Sequence, residues 1–209
     1  MKKITINRKE VLDEDITGLS KYQEGWCDPS YMSWNQPAGH TEYKLYSYLS
    51  KKVNSPVVLD IGTLFGGSAL VLSANDKSKV ISYDLVELST HEHLIKSNIE
   101  FRVGNFMEDD YDYSKISLIV IDVEPHDGTL EPPMIEHVIG QGFKGLILLD
   151  DISSMFPGMP EMWDSLPYEK YNVTEIGHFS GTGILNIGQK YELDFVFGEW
   201  KFILVYDKS

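Results

Sequence analysis

The chain has 209 residues, enough for one domain with a sizeable hydrophobic core and too few for two large ones. Its formal net charge of −14 argues against nucleic acid or an anionic membrane as a partner, because phosphate binding requires a basic face. A single cysteine, Cys27, excludes an internal disulfide; with no signal peptide and no apolar window of about 18 residues, we expect a cytoplasmic protein.

Residues 1–55 differ in character from the rest and are predicted to form an N-terminal extension that ends in a helix. An aromatic-rich stretch contains Trp26, Tyr31 and Trp34, and the spacing of apolar residues predicts a helix over 41–51. The aromatic residues either cover a bound acceptor as a lid or pack on the domain, and the sequence leaves both open.

From Pro56 onward, short apolar runs alternate with helical segments. Strands are predicted at 57–61, 79–83, 99–103, 117–121 and 145–149. Helices are predicted between them at 67–74, 88–96 and 132–141. This alternation predicts an α/β fold in which a mostly parallel sheet carries helices on both faces.

After Pro167 the pattern changes to β-like runs at 171–176, 183–187 and 195–206. We therefore expect a seven-stranded sheet that ends in an antiparallel C-terminal hairpin. The apolar run 155–160 has no period and lies just before this region. It is interpreted as a flap above a site or, alternatively, as a contact for a hydrophobic partner.

Acidic residues follow four of the five predicted parallel strands. The strand ends are, in chain order, Asp60 with Gly62, Asp84, Asn105 with Phe106, Asp122, and the pair Asp150 and Asp151. A single aspartate after a strand is more often a helix cap or a turn residue. Because ligands of open α/β sheets bind at the carboxyl ends of the strands, the group predicts a site for a cation, a ribose or both.

The first strand leads into a glycine turn and a helical pattern with Ser68 as the expected N-cap. The turn lacks the G-x-G-x-x-G of dinucleotide-binding proteins, since Leu64 occupies the second glycine position, and no Walker loop follows. Asp84 lies about 20 residues after Gly62, the usual distance for a carboxylate that binds ribose hydroxyls. The sequence therefore favours a nucleotide-like ligand without a pyrophosphate.

The glycine turn resembles motif I of the class I S-adenosylmethionine-dependent methyltransferases. Residues 61–69, Ile-Gly-Thr-Leu-Phe-Gly-Gly-Ser-Ala, are similar to the metal-dependent O-methyltransferases among them. Four further segments resemble the macrocin O-methyltransferase and cephalosporin hydroxylase-like group: 38–50, 121–129, 149–152 and 177–183. The resemblance implies a Rossmann-like methyltransferase fold, with the catalytic domain at 56–209.

The resemblance also implies the residues that bind S-adenosylmethionine. They are Asp60, Gly62, Thr63, Gly66, Ser68, Asp84, Asn105 and Phe106. In this arrangement Asp60 lies near the amino group of the cofactor, Asp84 holds the ribose, and Asn105 with Phe106 flanks the adenine.

By the same resemblance, Asp122, Asp150 and Asp151 are matched to metal ligands. Oxygen ligands from neighbouring strand ends suit Mg²⁺, Mn²⁺ or Ca²⁺ better than zinc. Such an ion would acidify an acceptor hydroxyl, whose ordinary pKa is near that of water at about 15.7, and would fix the oxygen in line with the methyl group.

His126, four residues after Asp122, is the candidate catalytic base, because its ordinary pKa of about 6.5 lets it accept a proton near neutral pH. A solvated loop histidine is the alternative interpretation. His178, in a glycine-rich segment, is a rival base or an acceptor-site residue. In related enzymes the histidine lies closer to the aspartate; here Glu124 intervenes and is a further candidate ligand.

We therefore predict an enzyme that transfers a methyl group from S-adenosylmethionine to a hydroxyl of a small molecule or glycan, assisted by Mg²⁺, with a homo-oligomer as one option for its assembly. Two alternatives stay open. A nicotinamide-dependent oxidoreductase is disfavoured by the missing dinucleotide fingerprint. A non-catalytic module that binds the cofactor could carry the same carboxylates without a metal.

Overall fold

The computed structural model describes residues 1–22, 37–86 and 94–197, with the backbone alone for residues 37–40. The strands are β1 (Lys2–Asn7), β2 (Val57–Ile61), β3 (Lys79–Asp84), β4 (Ile99–Val103), β5 (Ile116–Ile121), β6 (Gly145–Leu149), β7 (Lys170–Asn172), β8 (Gly183–Ile187) and β9 (Tyr191–Val196). The α-helices are α1 (Arg8–Leu12), α2 (Pro37–Val53), α3 (Gly67–Leu72), α4 (Glu131–Gly140) and α5 (Met159–Ser165). The predicted aromatic lid of Trp26, Tyr31 and Trp34 lies outside these residues.

Seven strands form one sheet in the order β4-β3-β2-β5-β6-β8-β7. Strands β2 to β6 run parallel to one another, whereas β8 is antiparallel to both of its neighbours, β6 and β7. The predicted α/β class, the mostly parallel seven-stranded sheet and its antiparallel end are therefore confirmed. The strand order reverses between β2 and β5, and this is the switch point at which such sheets leave a crevice for ligands.

The central strands are apolar throughout because both faces of the sheet are covered. In β5, Leu118 and Val120 face the core beneath α2 and α3, whereas Ile119 and Ile121 face the core that includes residues of α4 and α5. Side chains of a strand alternate between its faces, so burial on both sides requires a continuous apolar run rather than an alternating one.

The N-terminal residues belong to the same core. Strand β1 pairs in parallel with β9 in a separate two-stranded sheet, and its Ile4 and Ile6 are buried together with residues of α2. Residues 4–16 and α2 therefore contribute to the main core, and the role of residues 1–55 as an acceptor-site cover stays a prediction. None of the helices in the described parts of the chain is long and apolar enough to span a membrane.

Three predicted elements need correction. The strand predicted at 171–176 ends at Asn172, whose side chain accepts from the Thr174 amide at 3.0 Å and turns the chain into a 3₁₀ turn. Residues 94–96 are not helical, because Lys96 donates to Ser73 O at 2.7 Å and ties the segment to the end of α3. Residues 88–93 of that predicted helix lie outside the described ranges. The start of the run predicted at 195–206 belongs to β9, which begins at Tyr191 and pairs with β1 rather than with the large sheet; residues 198–206 lie outside the described ranges.

Candidate active site

The carboxyl ends of β2, β5 and β6 meet at one edge of the sheet, where the predicted acidic residues gather. Backbone hydrogen bonds continue the sheet beyond the strands: the Asp122 amide donates to Ile61 O at 2.9 Å, and the Asp150 amide donates to Ile121 O at 3.3 Å. Residues that are far apart in sequence are brought side by side in this way.

The glycine loop after β2 needs glycine for two separate reasons. Gly62 has a φ of +96°, and a Cβ there would lie 1.6 Å from the carbonyl oxygen of Asp122. Gly66 has a φ of +76°, and a Cβ there would lie 2.3 Å from a methyl carbon of Leu94. Only glycine adopts this backbone without strain, so the loop lets β2, β5 and the following helix approach one another closely.

Ser68 does not cap α3, contrary to the sequence prediction. The N-cap is Gly66 in the left-handed conformation, and Ser68 is the second residue of the helix. Its hydroxyl donates instead to Oδ2 of Asp60 at 3.0 Å, because the first turn of α3 lies directly over β2.

Asp60 is fully buried in a small polar network between β2 and α3. The hydroxyls of Ser68 and Ser82 both donate to its Oδ2, at 3.0 and 2.6 Å, and Thr63 Oγ1 contacts Ser82 Oγ at 2.6 Å. Oδ1 has no hydrogen-bond partner. Burial raises the pKa of Asp60 to about 6 against the opposing effect of the two serine hydroxyls. Ser68 and Ser82 therefore hold one oxygen of Asp60, whereas the other oxygen is buried without a hydrogen-bond partner.

Asp84, at the end of β3, lies beside the glycine loop as the ribose prediction requires. Its Oδ2 accepts from the Leu64 amide at 3.0 Å, and its carbonyl oxygen accepts from Gly104 N at 2.8 Å, just before Asn105. The Asn105 side chain caps the following 3₁₀ turn by accepting from the Met107 amide at 3.1 Å. The structure thus places Asp84 and Asn105 at one end of the glycine loop.

Phe106 does not face this region with its side chain. Its ring is 1% exposed and lies edge-on to Tyr83 and His137, with centroid distances of 6.2 and 5.9 Å. The aromatic residue is drawn into the core beneath α4, so only its backbone could flank an adenine. The expectation is therefore wrong for the ring.

A cavity of about 60 Å³ separates the glycine loop from α2. Glu42, Tyr43 and Tyr46 of α2 form one wall, most of the glycine loop forms another, and Asp122 lies where the cavity meets the carboxylate cluster. The sequence analysis did not assign α2 to the site.

Glu42 is the principal residue that the sequence analysis missed. It is 6% exposed, its Oε1 accepts from the hydroxyl of Tyr46 at 2.6 Å, and burial followed by the charges of Asp150 and Asp122 raises its pKa well above the usual range. The sequence contains an indication of this role. Glu42 lies on the same helix face as Leu45 and Tyr46, and a carboxylate on an apolar face is unusual unless it is paired.

Two histidines pair with the two adjacent aspartates. His126 Nδ1 lies 3.0 Å from Asp151 Oδ2, and His178 Nδ1 lies 3.3 Å from Asp150 Oδ2. The hydrogen bond to Asp151 raises the pKa of His126 to about 9 although burial opposes it. Burial likewise lowers the pKa of His178, but the hydrogen bond and the charge of Asp150 outweigh it, and the net shift is upward.

Asp122 completes the cluster in a more open position, with 40% of its side chain exposed and its Oδ1 3.8 Å from His126 Nδ1. Partial burial and then the carboxylates of Asp150 and Asp151 raise its pKa, and water around its exposed part moderates the effect. Glu124 Oε1 lies 3.4 Å from His126 Nε2, but its side chain is almost fully exposed. The exposed carboxylates thus lie at the outer end of the cluster, and the buried ones lie close together at its inner end.

The backbone at the His126–Asp151 pair is strained. His126 has a φ of +53° and Asp151 a φ of +61°, both in the left-handed region that non-glycine residues rarely adopt. Such conformations typically cost about 1 to 3 kcal/mol each and persist where the surrounding structure enforces them, often at functional sites. Gly181, whose Cβ would lie 2.7 Å from Ser153 N, lets the loop with His178 pack against the loop with Asp151.

No protein-family model matches the chain, and no curated protein sequence matches it. Solved structures do match. The O-methyltransferase TomG from Streptomyces achromogenes, solved in complex with SAM, aligns at a TM-score of 0.59 and 14% identity over 87% of this chain and 96% of its own. A methyltransferase from Geobacter sulfurreducens aligns at a TM-score of 0.56 and 13% identity, over 85% of this chain and 98% of its own. The SAH-bound Podospora anserina methyltransferase PaMTH1 aligns at a TM-score of 0.55 and 15% identity, over 90% of this chain and 99% of its own.

The chain has the Rossmann-like methyltransferase fold. At these identities the likeness concerns architecture, and the chemistry must be argued from the side chains of this chain. In this methyltransferase fold the glycine loop, Asp84 and the strand-end carboxylates all lie on the edge of the sheet where the strand order reverses.

The carboxylate cluster fits a divalent cation. Two groups in the described parts of the chain have ligand atoms within 4.8 Å of one another: Asp122, His126 and Asp151, and separately Glu42, Asp150 and His178. Oδ1 of Asp150 and Oδ1 of Asp151 are both buried without a hydrogen-bond partner. Buried unpartnered carboxylate oxygens are costly unless a cation or a proton satisfies them, and oxygen-rich sets favour hard ions.

The predicted flap is partly helical. Met159 and Pro160 open α5, and Met159 is buried in the core. The residues before them lie over the site: the Phe156 ring is 5.1 Å from that of His126, and Gly158 is required because its Cβ would lie 2.1 Å from Asp127 O. The segment 155–158 therefore borders the cluster with apolar side chains.

Proposed function

We propose that the protein is an S-adenosylmethionine-dependent O-methyltransferase that acts on a hydroxyl of a small molecule or glycan with the help of a divalent cation, Mg²⁺ first among the candidates. The observation that carries the proposal is that one cavity is lined both by the glycine loop and by Glu42 and Asp122 of the carboxylate cluster. A methyl donor on the loop would thus lie beside the groups that activate an acceptor. The cover function of residues 1–55 is part of the same proposal.

The glycine loop and its neighbours would bind the cofactor. S-adenosylmethionine supplies an electrophilic methyl group on a positively charged sulfur. Asp60 Oδ1, buried without a partner, is suited to the ammonium group of the methionine part, directly or through water. Asp84 is suited to the ribose hydroxyls because its carboxylate lies at the end of the loop, and Asn105 follows at the next strand end.

Asp122, Asp150 and Asp151 would hold the cation, which supplies positive charge that lowers the pKa of an acceptor hydroxyl. Cation binding by these aspartates requires no basic patch. It also gives a physical reason why several carboxylates lie close together. A neutral or cationic acceptor suits this acidic edge better than a phosphorylated one.

His126 would remove the proton from the acceptor. Asp151 would hold Nδ1 and orient the ring, and Nε2, which lies 3.4 Å from Oε1 of the exposed Glu124, would accept the proton. With a pKa of about 9 in the metal-free protein, His126 would carry its proton at neutral pH. Positive charge among the carboxylates would lower that pKa, so the base function and the cation are coupled. His178, held by Asp150, remains the rival base.

The first test is calorimetric titration with S-adenosylmethionine, in EDTA and then in excess Mg²⁺, for the natural protein and for Asp84→Ala. We expect binding that Asp84→Ala reduces at least about tenfold, or about 1.4 kcal/mol. Asp112→Ala, which removes an exposed turn carboxylate, is the matched control and should bind normally. Absence of binding under both conditions would refute the proposal, and binding of a nicotinamide cofactor instead would favour the oxidoreductase.

Binding alone does not separate an enzyme from a module that only binds the cofactor. An activity assay separates the two. It measures the conversion of S-adenosylmethionine to S-adenosylhomocysteine in the presence of a panel of polyhydroxylated acceptors, with the background hydrolysis subtracted. We expect turnover that requires Mg²⁺ and falls strongly in Asp122→Asn. Tight cofactor binding without any turnover over a broad acceptor panel would favour the non-catalytic alternative.

A further inference from the structure

Glu42, Asp150 and His178 form a three-residue cluster, and Glu42 has no chemical role in the function proposed above. One ligand atom from each lies within 4.8 Å of the others. They come from three different elements: α2, the end of β6 and the loop before β8. Glu42 and Asp150 are each 6% exposed, so neither carboxylate is a solvated surface group.

A second observation points to a ligand here. Oδ1 of Asp150 is buried and has no hydrogen-bond partner, although Oδ2 of the same carboxylate is 3.3 Å from His178 Nδ1. A carboxylate oxygen of Glu42 lies within 4.8 Å of one of Asp150. Two carboxyl groups this close, with one oxygen unpartnered, require either a shared proton or a cation between them.

The cluster is separate from the other candidate set. Asp122, His126 and Asp151 form that set and have no residue in common with this one, although Asp150 is also among the ligands proposed above for the first ion. The shortest contacts follow the same division, since Asp151 lies 3.0 Å from His126 whereas Asp150 lies 3.3 Å from His178. Asp151 therefore belongs to the first position, whereas Asp150 lies between the two positions.

We propose that Glu42, Asp150 and His178 form a second divalent-cation site next to the one that contains Asp122. Two carboxylates and one imidazole suit a first-row transition ion such as Mn²⁺ better than Mg²⁺, which prefers oxygen ligands alone. Because Glu42 lies on α2 and Asp150 ends a strand, the ion ties α2 to the sheet. The site stands independently of methyl transfer, since the ion can bind with no methyl donor present.

The shared proton is the competing explanation, and counting bound ions separates the two. We would titrate EDTA-treated protein with Mn²⁺ and measure free Mn²⁺ by electron paramagnetic resonance. Two Mn²⁺ per chain are expected for the natural protein. One is expected for Glu42→Gln and for His178→Gln, because each removes one ligand while leaving the Asp122 set intact. Glu161→Gln, which changes an exposed glutamate of α5, is the control and should retain two.

Thermal unfolding supplies a second readout. Saturating Mn²⁺ should raise the melting temperature of the natural protein more than that of Glu42→Gln, because binding to the folded state alone stabilises it. Gln keeps an acceptor for the Tyr46 hydroxyl, and His178→Gln tests the site from a different element if α2 tolerates no change. One Mn²⁺ per chain in the natural protein, or two in both variants, overturns the proposal. Failure to bind S-adenosylmethionine would refute the proposed function and leave this ion count unaffected.

Discussion

Replacing Asp60 by asparagine should stabilise the protein and weaken its binding of S-adenosylmethionine. Asp60 is fully buried, and its pKa is raised from the usual 3.8 to about 6, chiefly by burial. This difference corresponds to about 3 kcal/mol by which the folded protein disfavours the ionised carboxylate. Asparagine keeps an oxygen for the hydroxyls of Ser68 and Ser82 and carries no charge.

The expected gain is smaller than the full electrostatic penalty. The amide nitrogen of asparagine would occupy the position of the unpartnered Oδ1, and an unsatisfied buried donor costs about 1 to 3 kcal/mol. We therefore expect Asp60→Asn to raise the free energy of unfolding by about 1 kcal/mol at about pH 8. The same change should weaken cofactor binding at least about tenfold, because the ammonium group loses its carboxylate.

The pH dependence distinguishes this reasoning from a simple packing effect. Because the folded state raises the pKa of Asp60, the contribution of Asp60 to stability is greatest below about pH 4 and is lost as the pH rises through about 6. The advantage of Asp60→Asn should thus grow by about 1 kcal/mol between about pH 5 and about pH 8 and level off above about pH 7.

Urea unfolding followed by tryptophan fluorescence at these pH values measures both quantities. Asp112→Asn is the matched control of opposite sign, because the hydrogen bond from Ser114 lowers the pKa of this exposed carboxylate. An Asp60→Asn variant that is less stable at every pH, or whose advantage shrinks as the pH rises, would refute the account of a destabilised buried carboxylate.

Three further changes test the fold and the cluster. Gly62→Ala should lower the free energy of unfolding in urea by about 3 kcal/mol or more, since its Cβ would lie 1.6 Å from a carbonyl oxygen. Gly18→Ala is the control: a Cβ there has nothing within 4 Å and should change the free energy of unfolding by less than about 0.5 kcal/mol. Asp151→Asn should lower the pKa of His126 from about 9 toward 6.5, because it removes the interaction that raises this pKa most. Asparagine tolerates the left-handed backbone at this position. An NMR titration of the metal-free protein measures the pKa, and an unchanged value would contradict the assigned pair. Lys96→Met should lower the free energy of unfolding in urea by about 2 kcal/mol, because the buried ammonium group donates to three oxygens at 2.7 Å. An unchanged free energy of unfolding would show that these hydrogen bonds only offset the cost of burying the charge.

The sequence by itself determined the sheet and its acidic edge. Short apolar runs such as 57–59 and 118–121, bounded by turn residues, favour strands buried on both faces, and adjacent parallel strands end on the same side. The aspartates that follow these runs therefore had to meet, and the glycine pattern of the first turn could be interpreted from local backbone sterics alone.

Only the tertiary structure decided which side chains face the site. Ser68 fits the composition of a helix cap, but the placement of α3 over β2 directs it to Asp60. Phe106 follows a strand end, yet its ring is taken into the core. Neither outcome is encoded by spacing, because each depends on which neighbouring surface is apolar.

Glu42 shows the same limit most clearly. Its helix could be predicted from apolar periodicity, but that period does not specify where along the sheet the helix will dock or at which angle. The packing of α2 against α3 and the sheet brings Glu42 to Asp150, more than a hundred residues later in the chain. Local sequence thus determined the elements and the acidic strand ends, whereas non-local packing determined the membership of the cluster, because docking depends on the shapes of surfaces that exist only after folding.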